Sequence, residues 1–178
     1  MRVFWRLFLL LLLGAVFLWL TRAWTFRSVV HYRIVGERGE VRPIPVSTFG
    51  SMDLDLAIDA ALDTTAVRLH FSTGAVSNDP RKLGQGSPAN CIGYAALCAS
   101  LLKGQLETAG LGDRYMVEAV IGKLYMGEQD LHAFFTSPFW KDHDVVRITD
   151  LASNEVIVLD PTLYDHVGIG RVSVRSRN

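Results

Sequence analysis

Leu7 to Leu20 is an uninterrupted apolar run of 14 residues, hydrophobic on every helical face, so it needs an apolar environment all round. Val3, Phe4 and Trp5 extend it past Arg6, and Trp5, Trp19 and Trp24 stand where interfacial aromatics stand. The run is shorter than the ~20 residues a span needs, but Arg6 lies within a turn or two of its end and can reach water with its charge. Residues 1–24 are therefore read as a transmembrane anchor, with residues 3–24 in the membrane. A cleaved signal peptide is the alternative, although Thr21-Arg22-Ala23 makes a poor cleavage site. Arg2 and Arg6 precede the run while Arg22, Arg27, Arg33 and Arg38 follow it, a count that slightly opposes export. A short tail ahead of one apolar segment is nevertheless the layout of a signal anchor. The domain is expected on the extracytoplasmic (periplasmic) face.

Residues 25–50 read as a connector with strand character, because Val29 to Val35 is β-branched and Pro43 and Pro45 hold the chain extended. Residues 51–178 read as one domain. Leu54, Ala57, Ile58, Ala61 and Leu62 form the apolar stripe of a helix beginning at Ser51. Val67 to Phe71 is a short strand or the end of that helix, and His70 is structural. The loop from Thr73 to Ala89 is long enough to suggest a functional role. With 18 basic and 18 acidic residues the formal net charge is zero, so no basic field marks a nucleic-acid binder.

The stretch from Gln85 to Leu102 turns a glycine-rich polar loop into an Ala/Leu-rich helix with Cys91 at the junction. Asn90 is a preferred N-cap, which puts Cys91 in the first turn, where unpaired amides and the helix dipole favour a thiolate. A cysteine there is either a nucleophile or a small buried hydrophobe; the choice depends on its partners. Cys98 follows on the inner face. Seven residues of helix separate the two sulfurs by about 10 Å, too far for a disulfide. Two cysteines without CxxC or clustered histidines argue against a zinc site, and no cofactor is expected.

Partners come from a second stretch. His143 to Thr149 and Asn154 to Asp160 are β-rich heptads separated by Asp150-Leu-Ala-Ser153, a hairpin by pattern. With a symmetric four-residue loop, His143 lies directly opposite Asp160. A solvent-exposed cross-strand pair would look the same, but beside Cys91 it is the orienting pair a Cys–His nucleophile needs. His132 is the rival histidine, with no strand pattern or aspartate beside it.

Cysteine at a helix start, then histidine and aspartate on successive strands, resembles the transglutaminase-like superfamily, whose fold is related to papain. The resemblance covers roughly Lys82 to Tyr164. It rests on Asn90-Cys-x-Gly-Tyr-Ala-x-Leu97, the helix end and following strand from Leu101 to Gly122, His143-x-Val-Val, and Leu159-Asp-Pro-Thr162. It departs at Asp144-Val145, where Ala/Ser-Trp often follows the family histidine. The resemblance implies an α+β fold with a nucleophile helix packed on an antiparallel sheet. It implies Cys91 as nucleophile, His143 as general acid/base and Asp160 as its orienter. Gln85, six residues before Cys91, stands at the spacing from which papain-like enzymes supply an oxyanion-hole donor; an ordinary loop glutamine is equally compatible. Phe134, Phe135, Phe139 and Trp140 line an acyl pocket or belong to ordinary core. The expected activity is hydrolysis or transfer of an amide acyl group from a protein, peptide or cell-wall peptide. The alternative is a catalytically silent binding or assembly module at the membrane.

Overall fold

The computed structural model describes residues 2–39, 41–46, 52–137 and 141–175. Helix α1 (Arg2–Val29) runs 28 residues and passes without a loop into strand β1 (Val30–Glu37). Nothing between Thr25 and Val29 breaks a helix, so α1 outlasts the apolar run. Its stretch Phe4–Val29 is long and apolar enough to cross a membrane, and its large apolar side chains from Phe4 to Leu20 are exposed.

The protein is α+β, built on an antiparallel sheet. Strands β4 (Tyr115–Met126), β5 (Gln129–Asp130), β6 (His143–Asp150), β7 (Val156–Leu159) and β8 (Arg171–Val172) follow in the chain. The order across the sheet is β1-β4-β6-β7-β8, with β5 returning on the end of β4. Residues 30–37, read from sequence as part of a connector, are thus a paired strand of the main sheet. The sheet also curls until its two edges meet: Val174, just beyond β8, bridges to Tyr32 of β1. The amide of Tyr32 donates to Ser173 O at 2.8 Å, and the amide of Arg175 donates to Tyr32 O at 3.0 Å.

Curling leaves both faces of β6 buried. Outward, Val146 and Ile148 join Val117, Ala119 and Leu159 beneath helices α2 (Leu54–Arg68) and α3 (Cys91–Thr108). Inward, Val145 joins Tyr32, Val120, Val158, Ile169 and Val172. Burial of each such Val, Leu or Ile side chain is worth about 1.5–3 kcal/mol. Helix α2 begins at Leu54 rather than Ser51, which lies outside the described residues; the Asp53 side chain caps it by accepting from Leu56 N. After Arg68 the chain becomes strand β2 (Leu69–Phe71), which pairs in parallel with β3 (Ser87–Ala89). That pairing fixes the loop's far end immediately before Cys91.

The β6–β7 hairpin differs from the sequence expectation in register. Observed partners are Val146 with Leu159 and Thr149 with Val156, so the pairing is offset by two residues from the one expected. Asp150 belongs to the ladder, its amide donating to Glu155 O at 2.9 Å, and the turn is Leu151–Asn154. Asn154 has φ 59°, and the Asp150 carboxylate accepts from the amides of Ala152 and Ser153. Asn tolerates that left-handed conformation, which is why it ends a turn here instead of starting a strand. His143 is therefore not directly opposite Asp160. An offset of two, however, returns every side chain to the same face, so His143 and Asp160 remain diagonal neighbours within side-chain reach.

Candidate active site

Cys91 is the first residue of α3 and is buried at 7% exposure. Asn90 caps the helix, its Oδ1 accepting from Ile92 N at 3.1 Å and Gly93 N at 3.2 Å. The glycine two residues after the cysteine has a steric cause: a Cβ there would stand 3.0 Å from Ala89 Cβ, on the strand that delivers Cys91. Tyr94 donates its hydroxyl to Asp165 at 2.7 Å, tying α3 to helix α4 (Pro161–Val167). The Cys91 amide has no hydrogen-bond partner among the described residues.

Asp160 leaves the ladder after Leu159 and caps α4. Its carboxylate, 1% exposed, accepts from the Tyr32 hydroxyl at 2.7 Å and from Leu163 N at 2.9 Å, and pairs with His143 Nε2 at 3.1 Å. Burial alone would raise its pKa, but His143, the Leu163 amide and Tyr32 outweigh burial and hold it below the usual carboxylate value. Burial likewise opposes charge on His143. The field and hydrogen bond of Asp160, with the nearby Cys91 thiol, overcome this and hold the imidazole well above its ordinary value. Because Nε2 faces Asp160, Nδ1 is the nitrogen left for the thiol. The Tyr32 ring stacks on the imidazole with centroids 6.1 Å apart.

A further charged pair reaches the sulfur from the other side. Asp144, also 1% exposed, is held by Arg38 through bonds of 2.6 and 3.0 Å, and its Oδ2 lies 3.9 Å from Cys91 Sγ. Cys98, two turns along α3, is fully buried, and burial pushes its thiol up to about 12. The two cysteines occupy different chemical environments.

The structure thus brings Cys91, His143 and Asp160 to one cavity of about 360 Å³. It does not bring Gln85 there: that side chain is exposed and donates to Val67 O at 3.0 Å. Spacing from the cysteine was its only support, and the turn at Gly86 (φ 73°) directs the preceding residue along β2 instead. Of the aromatics expected at the pocket, Phe135 lines the cavity and Phe134 is exposed at 72%; Phe139 and Trp140 lie outside the described residues. His132 lines the same cavity, but the bond to Asp160 belongs to His143. No family model, curated protein or solved structure matches the chain.

Sequence reasoning missed Tyr32, Arg38 and Asp144. Asp144 did carry a signal, since an acid inside a β-branched run must find a charged partner if the strand is buried. Tyr32 and Arg38 lie over a hundred residues away in sequence, and nothing local announces them.

Proposed function

We propose that this protein is a membrane-tethered cysteine amidase or peptidase of transglutaminase-like type, its domain on the extracytoplasmic face. The observation that carries the reading is a bonded His143–Asp160 pair that lines the same apolar cavity as the helix-terminal Cys91. Each part has a chemical task. His143, whose imidazolium form Asp160 favours, already carries the thiol proton as an ion pair with Cys91, and Sγ bonds to the carbonyl carbon. The resulting oxyanion meets the Cys91 backbone amide, and one such donor is worth about 2.7–4 kcal/mol in the transition state. The imidazolium then gives its proton to the leaving nitrogen as the C–N bond breaks, leaving a thioester. Water, deprotonated by the same imidazole, hydrolyses it. Asp160 stays ionised throughout and fixes the ring. Hydrolysis rather than transfer is the favoured outcome, on a protein, peptide or cell-wall peptide amide.

The test compares the two thiols. At pH 6, limited iodoacetamide should alkylate Cys91 and spare Cys98, and His143→Ala should remove Cys91's advantage. Loss of any one of the three should cost about ten-thousand-fold or more in activity, and a second loss little beyond that. Equal labelling of both cysteines in the folded protein would overturn the nucleophile assignment and favour a silent binding or assembly module.

A further inference from the structure

The cavity beside Cys91 shares its wall with the helix that is apolar enough to cross a membrane. Tyr32, Leu124 and Leu163 line the cavity, and the same three pack in one cluster with Ala23 and Phe26 of α1. No flexible link intervenes, because α1 passes straight into β1 two residues before Tyr32. The helix is also pinned sideways. Arg22 Nε donates to Val167 O at 2.8 Å, next to the cavity residue His166, and Ser173 Oγ donates to Arg27 O at 2.9 Å.

Distance along α1 then sets the height of the cavity. From Trp24, the last residue read as lying in the membrane, to Phe26 is about 3 Å at 1.5 Å per residue. The headgroup layer of one leaflet is about 5–8 Å thick. With α1 in a bilayer, the cavity wall stands at the level of the lipid headgroups. Its interior is apolar, with Phe71, Leu124, Phe135 and Leu163 around the three reacting side chains, and Phe134 exposed beside Phe135. A soluble peptide gains nothing from that height, whereas a molecule held in the lipid by its hydrocarbon chain is already beside the cavity.

We infer that the substrate is a bilayer amphiphile, an amide carrying a long hydrocarbon chain that enters this cavity while its carbonyl carbon meets Cys91. The inference rests on the amidase reading and narrows its substrate class. The reaction is balanced by the steps above: the amine leaves with the imidazolium proton, and water releases the acyl group as a carboxylate.

The experiment separates the two claims. Full-chain Cys91→Ala protein in phosphatidylcholine nanodiscs is irradiated with a hexadecanoyl amide bearing a diazirine at the far end of its chain. Helix α1, bathed in the same lipid, is the internal standard. Label is expected on residues 115–137 and 160–167, falling severalfold relative to α1 when Leu124→Trp fills the cavity. Phe135→Trp, which narrows the half-exposed rim, serves the same purpose if Leu124→Trp does not fold. In parallel, wild-type protein should cleave the hexadecanoyl amide at least about tenfold faster than its acetyl counterpart. Label confined to α1, or cavity label unchanged by both substitutions, overturns the inference. If acetyl and peptide amides are also cleaved in that case, the amidase reading survives. If the cavity is labelled and no amide of any length is cleaved, the chain site stands and the amidase reading falls.

Discussion

Arg38 and Asp144 set a negative and a positive charge beside the sulfur, and their balance matters more than either alone. With Arg38 in place the Asp144 carboxylate is neutralised by two bonds. Arg38→Met would leave it buried and unpaired, 3.9 Å from Sγ, which costs about 3 kcal/mol, the low end for a broken buried pair because Arg38 is partly open to water. The lone carboxylate would also disfavour a thiolate. The expected outcome is a lower Tm together with slower alkylation of Cys91 at pH 6, while Asp144→Asn/Arg38→Met restores most of the alkylation rate. An unchanged rate in Arg38→Met would remove this pair from the chemistry. At this scale the sequence was legible where chemistry is local, as in the Asn90 cap and Cys91 at the helix start. It was silent on Tyr32 and Arg38, whose roles exist only once β1 lies beside β4.

Among the elements, α3 places Cys91, and the extended segment around Ile44 crosses it two to three turns further on. The amide of Ile44 donates to Ser100 O at 3.0 Å and Lys103 Nζ donates to Val41 O at 3.0 Å. A Cβ on Gly104 would lie 2.0 Å from Ile44 O, so the crossing is possible only because this position has no side chain. Gly104→Ala would ordinarily favour a helix by about 1 kcal/mol; here it should lower Tm instead, by displacing the segment that also carries Arg38. A raised Tm would show that the strap is not held as described. The hairpin was legible as a hairpin and displaced by two residues, because Asp150 and Asn154 both read as punctuation and only the fold decides which side of the turn each occupies. Two is an even number, and so the His143/Asp160 pairing survived the error. An error of one would have sent His143 to the opposite face.

Across the whole molecule, pH acts on the buried pair from both sides. Asp160 is held low, so its contribution to stability is present above the unfolded value of about 3.9 and disappears as pH falls through the folded one. His143 is held high; its contribution is complete below about 6.5 and disappears as pH rises through the folded value. Both are therefore present in full between about pH 4 and 6.5. The Tm difference between wild type and His143→Gln should be largest in that window and shrink on the alkaline side. A difference that grows with rising pH would mean that His143 is buried neutral. The apolar helix was legible from its unbroken run and the α+β class from the helix and hairpin patterns that carry the resemblance, whereas the joining of the sheet's two edges was not, since it depends on a bridge between Tyr32 and Val174. That bridge has a consequence in time. Tyr32 leaves the ribosome 128 residues ahead of the Asp160 it orders, and the residues that hold β1 from its second side come later still. The chain must therefore wait, its apolar helix α1 made long before Cys91, His143 and Asp160 can meet around Tyr32. If the helix reaches a membrane first, Cys91, His143 and Asp160 come together only after the chain is already at the bilayer.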